Sequence, residues 1–189
     1  MDPYVGKYLE PYIWRFRHYI RSDWKEGYLD ANSLSHPHRE LIVESMRSKP
    51  NINTMLELGT GNGINLIRLS EYFPQKKYIG IDINKKAILD GLEYIKVHDI
   101  PNINLYADNI FAIKKMESLS VDYMLTDAVL MYIDRGDLRT LFTEMLRISK
   151  TGFLLCEQAS SGNVYVDHCH WRHDYKAILT NMDAVKRCT

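Results

Sequence analysis

Residues 56 to 66 read LELGTGNGINL, and three glycines in that stretch, Gly59, Gly61 and Gly63, alternate between the end of an apolar run and the start of a helical pattern. Glycine at such a junction permits positive φ and lets a ligand approach the main chain with no Cβ in the way. A second cue stands nineteen residues after Gly63: Asp82 ends the next apolar run, KYIGID. A carboxylate there can accept two hydrogen bonds from vicinal ribose hydroxyls. Glycine run, placement and acid together predict a site for a nucleoside-containing ligand. Two familiar loops do not fit. The dinucleotide fingerprint G-x-G-x-x-G needs glycine at position 64, where Ile64 stands, and the phosphate-cradling G-x-x-x-x-G-K-[ST] loop is absent.

Outward from the glycines, short apolar runs alternate with amphipathic helical patterns. NTMLEL precedes a helix predicted over 62–72, and KYIGID one over 84–96. NINLYA at 102–107 and VDYMLT at 121–126 follow, then a helix over 137–148 and the run GFLLCEQ at 152–158. In the helix at 137–148, Leu138, Leu141, Phe142, Met145 and Leu146 recur at helical spacing. Strands alternating with helices of this length imply a doubly wound α/β fold, a mainly parallel sheet covered on both faces. In such a sheet, ligands bind beyond the carboxyl ends of the strands, where the strand order reverses.

Residues 1–50 read as helical, a cap over a core spanning 51–160. A first helix is expected from near Pro11, a residue tolerated in a first turn. A second starts at SHPHRELIVESM, with Ser35 as its cap and Leu41, Ile42, Ser45 and Met46 on its inner face. Residues 161–189 supply a substrate-side loop and a terminal helix, all within one domain.

The 189 residues are 46% hydrophobic and 25% charged, the composition of a globular domain, and no apolar run is long enough to cross a bilayer, so no membrane partner is expected. The N-terminal stretch lacks the charged-then-apolar layout of a secretory signal, which predicts a cytoplasmic location. Three cysteines without a CxxC pair argue against a disulfide framework and a zinc knuckle. With 24 basic and 24 acidic side chains the formal net charge is zero, and no nucleic-acid partner is expected. The Arg-and-aromatic stretch at 14–28 is diluted by acids: residues 1–30 hold five of each sign.

The segment ELGTGNG resembles the [D/E]-x-G-x-G-x-G motif of the class I S-adenosylmethionine-dependent methyltransferases, and the resemblance continues in register at each strand end over roughly residues 51–158. It implies S-adenosylmethionine as cofactor, with Glu57, Gly59, Thr60, Gly61 and Gly63 lining its methionine and ribose portion. Asp82 would hold the ribose hydroxyls and Ile83 would lie against the adenine. Asp108 and Asn109 stand where the family contacts the adenine edge. TDAVLMYI, residues 126–133, matches the segment beside the methyl group and the acceptor, which brings in Asp127. Many relatives carry histidine where this chain has Met131 and Tyr132. Local chemistry offers other roles: Asp82 or Asn84 could cap the following helix, Asp108 and Asn109 could form a turn, and Asp127 could pair with an arginine.

An activated methyl group needs an acceptor held in line and water kept out, and a general base only where the acceptor arrives protonated. The candidate segment is YVDHCHWRHDY, residues 165–175, which sets His168, His170, His173, Asp167 and Asp174 close together. A helix starting near Trp171 would put His170, His173 and Asp174 on one side. His170, His173 and Asp127 are therefore the catalytic candidates, with Glu157 at the fifth strand's end as another. A divalent metal would need further ligands that no second cluster supplies, so none is predicted. Helix capping and ordering of a lid account for the same residues. By fold analogy Tyr28, His36 and Arg39 approach the methionine end.

Only 31 residues follow GFLLCEQ, so five parallel strands are expected, six at most, without the antiparallel edge hairpin of the family. The exposed edge invites a partner subunit, a homo-oligomer contact. Neither [DNS]-P-P-[YFW] nor a Pro-Cys nucleophile motif is present. The expected function is methyl transfer to an oxygen or nitrogen of a small-molecule acceptor. The competing expectation is a non-catalytic cofactor-binding or scaffold subunit.

Overall fold

In the computed structural model the described residues are 29–167 and 170–182. The expected helix near Pro11, the approach of Tyr28, and His168 lie outside them. The elements run α1 (Ala31–Leu34), α2 (Pro37–Arg47), β1 (Thr54–Leu58), α3 (Ile64–Tyr72), β2 (Lys77–Asp82), α4 (Lys85–Val97) and β3 (Ile103–Ala107). A 3₁₀ turn at Ile110–Lys115 leads to β4 (Tyr123–Asp127), and another at Leu130–Tyr132 to α5 (Arg135–Ile148). The chain continues through β5 (Phe153–Cys156), β6 (Val164–Asp167), β7 (His170–Arg172) and α6 (Tyr175–Thr180).

Five strands form one parallel sheet in the order β3-β2-β1-β4-β5. The chain winds outward from β1 to β3, then crosses back to place β4 on the other side of β1. The order therefore reverses between β1 and β4, and the crevice opens at their carboxyl ends, at Leu58 and Asp127.

Alternation along the strands feeds two cores. Met55 and Leu125 face the layer of α2, α3 and α4, where Ile42, Val43, Met46, Leu66, Leu69 and Ile88 are buried. Leu56, Leu58 and Met124 face α5, where Leu138, Leu141, Phe142, Met145 and Ile148 are buried. Each large side chain so buried contributes about 1.5–3 kcal/mol, against a spread of about 0.7 kcal/mol per residue in helix propensity. Packing, rather than propensity, decides these helices.

Three local expectations are corrected. His36, not Ser35, caps α2: its Nδ1 accepts from the His38 N–H, and Pro37 follows in the first turn with its φ already suited to the helix. Leu41 is 71% exposed, and Val43 takes its place on the buried stripe of α2 with Ile42 and Met46. No helix begins near Trp171. Residues 164–167 and 170–172 pair instead as an antiparallel hairpin, Tyr165 opposite Trp171 with their rings edge-on at 5.1 Å. Alternation of β-branched and aromatic residues, V-Y-V then H-W-R, favours the pleat over the helix. The helix starts only at Tyr175, with Asp174 as its cap accepting from the Ala177 N–H. The hairpin is a separate two-stranded sheet, with an isolated bridge between Ala159 and His173 beyond its end, and the main sheet keeps five strands.

Candidate cofactor and acceptor site

The loop after β1 holds Gly59, Gly61 and Gly63 at φ of 73°, 58° and 82°. Two of them show why side chains are excluded. A Cβ on Gly59 would lie 2.4 Å from Val129 Cγ2, so the loop after β1 touches the loop after β4 only because position 59 is bare. A Cβ on Gly61 would meet nothing within 4 Å. There the left-handed φ, not packing within the protein, disfavours a side chain.

Asp82 ties the tip of this loop to β2. Its Oδ2 accepts from the Gly61 N–H at 2.7 Å and its Oδ1 from the Asn84 N–H at 2.7 Å. Burial pushes its pKa up while those two backbone donors pull it down. Each carboxylate oxygen has a second lone-pair site, so both can still accept from a ligand. Asn84, not Asp82, caps α4, accepting from Ala87 N–H at 3.0 Å. Ile83 is half-buried beside it.

Beneath the glycines lies a buried polar chain. Glu57, 1% exposed, accepts from Thr60 Oγ1 at 2.6 Å and from Asn65 Nδ2 at 2.8 Å. Asn65 Nδ2 also donates to Asp127 Oδ2 at 2.9 Å. Asp127 Oδ1 meets His38 Nε2 at 2.9 Å. Burial pushes the Glu57 carboxyl up to about 7, helped by the charges of Asp127 and Asp82 and opposed by its two donors. The chain thus runs from β1 through α3 to β4 and on to α2, across the point where the strand order reverses.

On the far side of β4, Glu157 follows β5 and accepts from Val129 N–H and Leu130 N–H, each at 3.1 Å, while burial pushes it up to about 7. It clamps the start of the segment 128–133, where Ala128 sits at φ 51°. The hairpin packs on the end of that segment. The His170 ring lies 4.7 Å from the Tyr132 ring, and His173 Nε2 lies 3.1 Å from the Ile133 carbonyl oxygen.

A family model described as a methyltransferase domain matches residues 50–183. The chain belongs to the class I S-adenosylmethionine-dependent methyltransferases. Among curated relatives, this methyltransferase domain is 34% identical over 88 residues to a tRNA (guanine-N(7)-)-methyltransferase of Pediococcus pentosaceus, covering 41% of this chain and 42% of that protein. It is 28% identical over 138 residues to the release factor glutamine methyltransferase of Fusobacterium nucleatum, covering 67% of this chain and 37% of that protein. The chain thus spans about two fifths of the length of these relatives. A solved S-adenosylmethionine-dependent methyltransferase from Aquifex aeolicus superposes with a TM-score of 0.65 at 16% identity, over 87% of this chain and 88% of that one, a likeness of fold.

The methyltransferase domain's own residues fit that cofactor. The backbone is open at Gly61, an acid ends β2, and two more acids stand at the reversal point, where a cationic ligand is favoured. The buried Asn65 Oδ1 has no partner among the described residues, an acceptor without a donor. Asp82, Gly61 and Ile83 would hold the nucleoside. Gly59, Gly63 and Asp127 would border the amino-acid portion. Glu57 and Thr60 are buried under the loop, 1% and 4% exposed, and would shape it rather than line it.

Other expected residues are placed differently. Asn109 accepts from the Phe111 N–H and caps the 3₁₀ turn; Asp108 accepts from the Asn109 N–H and is exposed at the crevice rim. Asp127 pairs with a histidine, not an arginine. His36 is spent on the cap of α2, and Arg39 Nη1 donates to the Ser33 carbonyl. His170, His173 and Asp174 do not share one face of a helix. His173 is fully buried and stacked on Trp171 at 5.8 Å, and burial lowers its pKa, so it is built as packing. His170 is half-buried against Tyr132, beside the segment after β4. Among the described residues no three metal-ligating side chains come together. No described helix is long and apolar enough to cross a membrane.

Two residues of this polar chain escaped the sequence. His38 reaches Asp127 across 89 positions by the docking of α2, which no local pattern encodes. Asn65 carried a signal, a polar residue set between Ile64 and Leu66 on a buried helix face.

Proposed function

We propose that this methyltransferase domain transfers a methyl group from S-adenosylmethionine to an oxygen or nitrogen of a small-molecule acceptor. The observation that carries the reading is the open backbone at Gly61, tied to Asp82 and set beside Asp127 where the strand order reverses. When bound, the cofactor supplies a methyl group already activated on a sulfonium. The protein's share is then positional. Asp82 fixes the Gly61 backbone, the Asn65 amide fixes Glu57 and Asp127 relative to each other, and Glu157 holds the segment 128–133 against the glycine loop. Positioning of this kind supplies several kcal/mol of a transfer barrier, about 7–11 kcal/mol at best. The balance of 24 basic and 24 acidic residues supports a small acceptor over a phosphate backbone.

A second reading, a tRNA acceptor, is favoured by the guanine-N(7) relatives, whose names give that substrate. The test is transfer of a labelled methyl group to two pools: unmodified tRNA, and a fractionated mixture of small hydroxyl- and amine-bearing metabolites. Label in the metabolite pool supports the proposal. Label confined to tRNA replaces it with the second reading, and label in neither favours a non-catalytic cofactor-binding subunit.

A further inference from the structure

We infer that His38 and Asp127 form the proton-accepting pair for the methyl acceptor, which makes the acceptor a group that loses a proton on methylation. The inference rests on the methyl-transfer reading above and deepens it. Asp127 is the last residue of β4, at the reversal point, and His38 in the first turn of α2 reaches over that point to meet it at 2.9 Å. A carboxylate accepts, so Nε2 carries the hydrogen of this contact, and in the neutral ring Nδ1 keeps its lone pair. Among the described residues Nδ1 has no partner, and the side chain is 41% exposed while that of Asp127 is only 16% exposed. A carboxylate behind an imidazole, fixing its tautomer and leaving the other nitrogen with its lone pair, is the arrangement of a general base and its orienting group. Asp127 is itself held from the other side by Asn65, so the ring's support is rigid.

The step balances without a further reactant. The acceptor's oxygen or nitrogen lone pair bonds to the methyl carbon, and the bonding pair of the broken S–C bond stays on sulfur. The acceptor's proton passes to His38 Nδ1. A hydroxyl or an N–H group has such a proton to give. A ring nitrogen that carries only a lone pair, such as N7 of guanine, does not. His170, another half-buried imidazole, packs against Tyr132 with the two rings tilted and lies outside the pair.

The test uses the full chain with S-adenosylhomocysteine as the bound probe. In protein labelled with ¹⁵N-histidine, the signals lost in His38→Gln are expected to show, in the neutral ring, hydrogen on Nε2 and a bare Nδ1, with and without the probe. The substitution keeps an amide donor that can reach Asp127, so probe affinity should stay within about threefold, while transfer to a hydroxyl or N–H acceptor falls about 10²–10⁴-fold. Added imidazole should restore part of that loss. Hydrogen on Nδ1, an unchanged rate in His38→Gln, or transfer confined to a proton-free ring nitrogen overturns the inference and leaves the methyl-transfer reading standing. Failure of the unsubstituted chain to bind the probe removes that reading, and this inference with it.

Discussion

Glu57 and Asp127, at the ends of neighbouring strands, are joined through a single donor, Nδ2 of Asn65, at 2.8 and 2.9 Å. Carboxylates only accept, so the amide nitrogen must face both, and two acids that would otherwise repel share one partner. Asn65→Leu keeps the bulk and removes the donor. A loss of about 1–3 kcal/mol in urea unfolding is expected, together with weaker binding of S-adenosylhomocysteine. An unchanged midpoint would mean that the two acids find other donors.

Glu57 gives the domain a pH dependence of definite sign. Its folded pKa, about 7, stands above the ordinary 4.5, so between those values the folded state holds more protons than the unfolded one. Its contribution to stability should therefore be complete below about pH 4.5 and be lost as pH rises through about 7. Glu157, also raised to about 7, acts in the same direction. Urea midpoints between pH 5 and 8 would check this. Glu57→Gln should shallow the slope, and a slope unaltered by that substitution would assign the titration elsewhere.

Gly59 and Gly61 should separate folding from binding. Gly61→Ala meets no atom within 4 Å but sits at φ 58°, so it should cost about 1–2 kcal/mol of stability and lower cofactor affinity at least tenfold. Gly59→Ala would drive a methyl into Val129 and should chiefly destabilise the fold. Thermal melts set beside calorimetric titrations of the two variants distinguish these outcomes. Equal effects on melting would contradict the assignment of Gly61 to the crevice.

Glu157 should act through the segment it holds. Glu157→Ala leaves the N–H groups of Val129 and Leu130 without their acceptor, a cost of about 2–6 kcal/mol for the two. Glu157→Gln keeps a carbonyl for them and should recover most of it. Denaturant titration of both variants decides whether the hydrogen bonds or the charge matter.

Legibility in the sequence followed the range of the interactions. The alternation of strands and helices and the glycine loop depend on neighbours a few residues apart, and all five parallel strands could be placed from them. Asp82 was legible because its spacing from the loop is set by one strand–helix–strand unit. The pairing of 164–167 with 170–172 was hard to read because its strands are only four and three residues long, too short for alternation to stand out from a helical pattern. His38 was invisible for a different reason: nothing in its vicinity records that α2 will dock across the end of β4. Leu41 failed by a small rotation of that same helix, which buries Val43 instead.

The most direct measurement is a calorimetric titration of the chain with S-adenosylmethionine, S-adenosylhomocysteine and NAD, repeated on Asp82→Ala. Binding of both sulfur nucleosides, lost or weakened at least tenfold in the variant, with no binding of NAD, is the predicted result. Binding of NAD, or sulfur-nucleoside affinity indifferent to Asp82, would contradict the account of the crevice at the ends of β1 and β2.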